Sequence, residues 1–590
     1  MQKKTQFNFA GFSYRHFDWL GVFISKVFYL NGRTKLDETL EDAGLKIYPP
    51  AYFAMIGFAF LIFVIAIIPI VILTGLLYLI PLPFIVLLLG YVVPQIMARD
   101  RASKLDAEVP FAGAYISVMA TGGLSPYASL KRLKDCSLLP EMVKAIKDIE
   151  VDVQMKGHDP ISAMEKSAQH LPSRDYRDLF LGYASTVKTG GDVMHYLLIR
   201  TETMFRNLAA KVKAFGDRAA VLMEAYVTVS ILVTLSLAII FMTSSAFSGY
   251  FQGGAFTTEN YLLYAYILVP ILSVAFIYLA DAQQVHEPLS DWGPYKVFLA
   301  TLPIMIFMLI TMFLPFIVPG LNPPLAEPFM NFITNMRAAL GLERGYEAAL
   351  GLGLSLIVGN APAAIAHSYY TRKGKDMENE IASFLRDFTE TRKTGASPES
   401  CMENLAGRNY GRFTKHLSVA SRQIRWGLSF ETVYETLKSR IRSWLALVNL
   451  YLMVDAIEVG GGTPETMETL TQFSEMLSSQ EREKKETLKP LLIMPYVGAI
   501  ILLVSTVVFL GFTRTVIYNY ARQAMPFSQF ATIIVPPLIL QVYLTGIVTG
   551  KISSTKASAG FKHAVILVIL ALILIMIARF LTIPFQGFGG

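Results

Sequence analysis

Nine stretches of mostly apolar residues, each close to the roughly 20 that a helix needs to cross a bilayer, limit this chain to a polytopic membrane fold. They are residues 52–73, 76–93, 221–242, 261–280, 297–318, 348–366, 491–512, 530–548 and 564–585. The fourth and fifth contain no charge, and the sixth is diluted by Gly351, Gly353, Asn360 and Pro362. Only Thr74 and Gly75 part the first two, which therefore form a tight helical hairpin. Composition agrees: 53% of the 590 residues are hydrophobic and 16% charged, against about 25% charged in soluble domains.

Two long polar segments, 94–220 and 367–490, interrupt the apolar runs. Placing both in the cytoplasm puts every Lys and Arg inside except Arg337, Arg344, Arg514, Arg522 and Arg579. Cytoplasmic loops are enriched in these cations because they resist translocation. The expected topology has a cytoplasmic N-terminus and an external C-terminus. The net charge of +7 thus reflects sidedness rather than nucleic-acid binding. Cys136 and Cys401 lack partners at metal-binding spacing and are expected to be free thiols in a reducing compartment. No cleavable signal peptide is visible.

The chain overlays itself when shifted by about 270 residues. The second to fifth spans then fall on the sixth to ninth. Ser125-Pro126 meets Ser397-Pro398, Gly157 meets Gly427, and Gly190-Gly191 meets Gly460-Gly461. Each repeat is one span, a polar domain and three further spans, and both copies enter the membrane with the same polarity. The expected layout is an arm at 1–50, a transmembrane hairpin at 51–97, a first cytoplasmic domain at 98–220 and three spans within 221–318. An external loop at 319–347, a span at 348–366, a second cytoplasmic domain at 367–490, three spans within 491–585 and an external tail at 586–590 complete it.

Apolar residues in the polar segments recur at helical spacing, as in Phe180, Tyr183 and Val187. Breaks at Gly122-Gly123, Pro140, 157–160, Pro172 and 189–191 divide the first segment into about six helices. Asp159 before Pro160 and Ser397 before Pro398 are helix-start pairs. The fold class is all-α, with two homologous helical bundles. The run 481–489 alternates in charge and leads into the seventh span as a continuous helix. The arm from 7 to 30 mixes aromatics, including Trp19, with Arg15, His16 and Lys26, which suits either a helix in the headgroup zone or one packed on the bundles.

Catalytic and cofactor signatures are missing. The T-G-K-I string at 549–552 lacks the glycine-rich lead of a phosphate loop and falls in an expected loop after the eighth span. The eight histidines have no metal spacing. No catalytic, cofactor or metal residue is expected, and the chain is not expected to be an enzyme.

The strings ATGGLSPYASLKRL, MKGHDPISAMEKSA and VKTGGDVMHYLLIRTETM resemble the type II secretion F-domain pattern, and TGASPESCMENLA, RWGLSFETVYETL and EVGGGTPETMETLTQFSEM repeat it. Gly122, Gly157, Gly190, Gly191, Gly427, Gly460 and Gly461 are the motif glycines. Two such domains with nine spans resemble the archaeal membrane platforms of type IV filaments, the adhesive pilus and the archaellum. That resemblance implies a non-catalytic platform that docks a hexameric secretion ATPase and receives pilin- or archaellin-type subunits from the bilayer, as one copy or a homodimer. Candidate ATPase-docking cations are Lys131, Arg132, Lys134, Arg422, Arg425, Arg440 and Arg442, and the candidate subunit contact is Glu224. The rival reading is a secondary transporter or channel with parallel repeats.

Overall fold

The computed structural model describes residues 39–40, 43–45, 48–74, 82–246, 257–284, 292–318, 323, 325–374, 376–460, 462–519 and 526–578. The arm at 7–30, Gly461, Arg522, Arg579 and the tail lie outside them. Helices follow one another with short turns, and no strand occurs among the described residues.

Helix α1 (Pro49–Thr74) pairs with α2 (Leu82–Thr121), whose second half passes into the first bundle without a break at residue 97. That bundle continues with α3 (Pro126–Leu133), α4 (Pro140–Gln154), α5 (Pro160–His170), α6 (Arg174–Lys188) and the start of α7 (Val193–Ala246). Helix α7 has 54 residues, about 80 Å at 1.5 Å per residue, and is bundle helix and span at once. Next come α8 (Thr258–Gln283) and α9 (Gly293–Ile317), each with one π-helical turn, Tyr264–Leu268 and Leu309–Phe313. The expected loop at 319–347 holds a short helix, α10 (Ala326–Ala339).

The second repeat opens with α11 (Glu347–Gly374) and α12 (Met377–Lys393). Asp376, at φ 64°, breaks the path between them. Its bundle adds α13 (Pro398–Leu405), α14 (Phe413–Arg425), α15 (Phe430–Lys438), α16 (Trp444–Gly460) and α17 (Pro464–Leu488). One 3-10 turn, Lys489–Leu492, joins α17 to α18 (Ile493–Asn519); α19 (Phe527–Ser554) and α20 (Ala559–Ala578) follow. The T-G-K-I string lies inside α19 rather than in a loop.

Seven helical segments among the described residues are long and apolar enough to cross a membrane, and they coincide with the third to ninth expected spans. The hairpin of the first two runs into residues outside the described set. The dilution of the sixth span has a packing cause. A Cβ on Gly351 would stand 1.9 Å from the Met312 carbonyl oxygen, so α11 and α9 touch backbone to backbone.

The duplication is visible in local geometry. Ser125 accepts from the Ala128 N–H and Ser397 from the Ser400 N–H; Asp159 and Ser429 cap α5 and α15 in the same way. Left-handed glycines recur as Gly123 and Gly395, Gly157 and Gly427, Gly190 and Gly462. By this criterion the partner of Gly190 is Gly462, two residues beyond the Gly460 that string matching pairs with it.

Candidate functional site: the paired bundles and their membrane root

The sequence 444–457, WLALVNLYLMVDAI, carries apolar residues on every side of a helix and only Asn449 and Asp455 as polar ones, a pattern that burial on all sides satisfies. Helix α16 accordingly lies in a core that runs through both bundles, with Trp444, Leu447, Leu450, Met453 and Ile457 buried. Its counterpart α6 is amphipathic, with Arg174, Arg177 and Lys188 exposed. The difference arises because α16 and α17 pack on α2 of the first bundle, whereas no comparable contact joins α12 to α6 among the described residues. The bundle contact is therefore not two-fold symmetric, although α7 also packs on its own counterparts α17 and α18.

Its contacts are specific. The Trp444 indole donates to the Leu138 carbonyl at 2.9 Å and meets the Phe111 ring at 4.7 Å. Tyr115 stacks on Tyr451 at 6.2 Å and donates its hydroxyl to Asp455. Arg132 donates Nη2 to Asp455 Oδ1 at 2.7 Å. Burial and the Asp455 charge hold the Tyr115 hydroxyl far above its ordinary value, so it stays a donor. Phe205 and Phe473 meet at 5.7 Å, and Gln480 donates to the Phe205 carbonyl at 2.7 Å.

Each bundle also contains an inward carboxylate that caps a helix. Glu108 Oε2 accepts from the N–H groups of Glu141 and Met142, at the start of α4. Glu380 Oε2 accepts from the Phe413 N–H at the start of α14. Glu108 is 1% exposed, and burial pushes its carboxyl up to about 7 against the pull of those two N–H groups.

The candidate docking cations fall into separate places. Lys131 is exposed, Arg132 is engaged with Asp455 across the interface, and Lys134 pairs with Glu150 at 3.0 Å. Arg422 and Arg425 are exposed at the end of α14. Arg442 lies 4.9 Å above the Tyr370 ring of α11, at the membrane end of the bundle, with Arg440 two residues before it. Of the motif glycines, the structure brings Gly122 and Gly460 together: a Cβ on Gly460 would lie 3.7 Å from Gly122 Cα. Glu224 is exposed on α7, beside buried Met223 and Tyr226.

Within the spans, Lys551 of α19 is buried and ion-paired with Asp281 of α8, and it donates to Gln284 Oε1 at 2.8 Å. Asp281 and Lys551 are 270 residues apart, so the same position of the two repeats meets itself with opposite charges. Deeper, Tyr226 bonds Ser273 at 3.2 Å and Thr545 at 3.3 Å, and Gln541 donates to Ser230. No cluster of metal-ligating side chains occurs among the described residues. Cys136 and Cys401 are buried free thiols.

Residues 114–241 and 384–511 each match the family described as type II secretion system protein F. The chain carries two type II secretion F domains. The matched segments are equal in length and start 270 residues apart, in register with the Asp281–Lys551 pair. Each covers bundle helices together with the span that follows. Proteins of this family are generally non-catalytic, multi-pass membrane platforms of secretion and pilus systems. An uncharacterized protein of Methanocaldococcus jannaschii is 20% identical over 522 residues, covering 83% of this chain and 82% of its own. No solved structure matches the chain at a significant level.

Sequence reasoning missed Tyr115, Asp455, Trp444 and the Glu108 and Glu380 caps. For α16 a signal was present, since a mostly apolar run of 14 residues within a polar segment marks a core helix. For the caps there was none. A carboxylate 33 residues before the helix it caps has no local signature.

Proposed function

We propose that this protein is the membrane platform on which a type IV pilus-like filament, an adhesive pilus or an archaellum, is assembled. The F domains stand in the cytoplasm, the N-terminus is inside and the C-terminus outside. A hexameric secretion ATPase docks on the paired bundles, drawn by their exposed cations, and pilin- or archaellin-type subunits reach the platform from the bilayer, with Glu224 as a contact. The observation that carries this reading is the fusion of two membrane-rooted bundles into one core, with α7 and α17–α18 running from bundle into span. A load on the water-facing ends thereby reaches the membrane through unbroken or once-kinked helices.

The buried set Tyr226, Ser230, Ser273, Gln541 and Thr545 is what the rival, a transporter or channel with parallel repeats, could claim. These groups bond one another across α7, α8 and α19, as polar links between packed spans do. The test is deletion of the gene, with filaments scored by electron microscopy and adhesion and swimming by assay. Loss of one filament class is expected. Normal filaments, together with solute flux through the purified protein in liposomes, would overturn the proposal in favour of the rival.

A further inference from the structure

The two most exposed large apolar side chains of the described protein are Met155, 81% exposed, and Trp426, 79% exposed. Neither belongs to a span. Met155 stands two residues before Gly157 and Trp426 one before Gly427, so both occupy the same turn of their repeats, between α4 and α5 and between α14 and α15. Isolated exposed apolar residues are common on protein surfaces. Exposure at one turn in both repeats, for the two largest values among the described large apolar side chains, is a different observation.

Both turns are pre-formed. Gly157 and Gly427 sit at φ 70° and 81°, and the following residues Asp159 and Ser429 cap the next helix. At the second turn the Leu428 N–H bonds the Gln423 carbonyl and the Gly427 N–H bonds the Ile424 carbonyl, the paired bonds of a Schellman motif. Trp426 is thus held out on a fixed backbone, which lowers the ordering cost of binding. The turn also faces away from the membrane. The Glu431 N–H donates to Glu458 Oε1 at 2.9 Å, and Glu458 is close to Gly460, which lies against Gly122 at the end of α2 opposite its span.

Charge separates the two turns. Asp152 neutralises Lys156 and Lys166 beside Met155. Arg422 and Arg425, flanking Trp426, make no ion pair among the described residues. A large exposed aromatic with two exposed arginines in the same helical turn fits an apolar recess in an acidic protein surface.

We infer that the Trp426 turn is the principal anchor for the hexameric secretion ATPase and the Met155 turn its weaker counterpart. Arg440 and Arg442, at the membrane end, take no part. This rests on the platform reading. Full-length protein in lipid nanodiscs is titrated with the purified hexameric secretion ATPase of the same organism. Trp426→Ala is expected to weaken binding at least about tenfold, and Met155→Ala less. Arg422→Gln with Arg425→Gln lowers the salt dependence. Ile199→Ala, which trims a half-exposed residue on the flank of α7, and Arg442→Gln leave binding unchanged. Met155, Trp426, Arg422 and Arg425 are exposed, so truncating them removes little packing, and unchanged thermal melting of every variant confirms the fold. Wild-type binding with Trp426→Ala equal to Ile199→Ala overturns this inference and leaves the platform standing. Absence of wild-type binding overturns both.

Discussion

Removing the Asp455 carboxylate separates the two partners it holds in a way that can be measured. Tyr115 is fully buried, so in Asp455→Ala its hydroxyl has no acceptor and cannot reach water. A buried unsatisfied hydroxyl costs about 1–3 kcal/mol. The Arg132 side chain is 46% exposed and returns to solvent, for which about 1 kcal/mol or less is expected. The loss falls on the interface between the F domains rather than on either bundle alone. Hydrogen exchange of full-length protein in nanodiscs is the suitable assay, because a multidomain membrane protein has no single unfolding free energy. Amides of α16 and of the bundle half of α2 should exchange roughly 5- to 150-fold faster, from the same 1–3 kcal/mol, while α4 and α5 stay unchanged. Arg132→Gln, which keeps a neutral donor for the Asp455 carboxylate, whose side chain is only 10% exposed, should give less than about fivefold. Adding Tyr115→Phe to Asp455→Ala removes the orphaned hydroxyl and should restore most of the protection. If Asp455→Ala exchanges no faster than Arg132→Gln, or Tyr115→Phe restores nothing, the interface does not depend on this network.

Three further outcomes follow from the geometry. Glu108 has its carboxyl raised from 4.5 to about 7 by burial, so the folded state binds the extra proton; its contribution is complete below about pH 4.5 and is lost as pH rises through 7, by about 3 kcal/mol. Glu108→Gln keeps an acceptor for the Glu141 and Met142 N–H groups and should flatten the decline of melting temperature between pH 5 and 8; parallel wild-type and variant curves would exclude the titration. Gly351→Ala forces a Cβ onto the Met312 carbonyl and should reduce monodisperse protein in detergent, whereas Gly374→Ala, with nothing near its Cβ, should behave as wild type in size-exclusion profiles. Asp281→Ala leaves buried Lys551 with only the neutral acceptors Gln284 and Thr555 and should lower melting temperature; the exchange Asp281→Lys with Lys551→Asp should recover part of the loss, and no recovery would mean the pair acts through local packing alone.

How much of this was legible in the sequence depends on the range of each interaction. Span-length apolar runs, helix starts at Asp159 and Ser397, and the break at 157–160 depend on residues a few positions apart, so the string carries them. The repeat register was legible for the same reason, although the glycine triplet at 460–462 hid the fact that Gly462, and not Gly460, takes the left-handed conformation. Lys551 was read as a loop cation because hydropathy falls after residue 548. In the folded chain Asp281 neutralises it, so α19 continues to Ser554. The docking cations are neighbours in sequence, yet Arg425 and Arg440 lie at opposite ends of the bundle, because α15 runs back toward the membrane between them. Nothing in the string distinguishes a cation that will meet Asp455 from one that will meet water.

The divergence of the two repeats has a physical direction. Identical copies set side by side would expose the same faces, yet here several equivalent elements are resolved into one central and one peripheral member, while α7 packs on its own counterparts α17 and α18. Helix α16 became apolar on nearly every face, Asn449 and Asp455 excepted, and lies between the bundles, while α6 kept a charged face. About 67% and 39% of the apolar stretches of α19 and α20 are buried within the protein, against 17% and 11% for α8 and α9. At the position where the repeats meet themselves, like residues would repel if charged or leave a void if small; Asp281 and Lys551 attract instead. Each change deepens contact between the copies at the expense of their symmetry. Two F domains bound by a shared core cannot respond separately to a ring of equivalent subunits, so such a ring would meet one asymmetric object with one dominant anchor. On the platform reading, a ring of equivalent subunits would therefore act on one membrane-rooted element rather than on two independent ones.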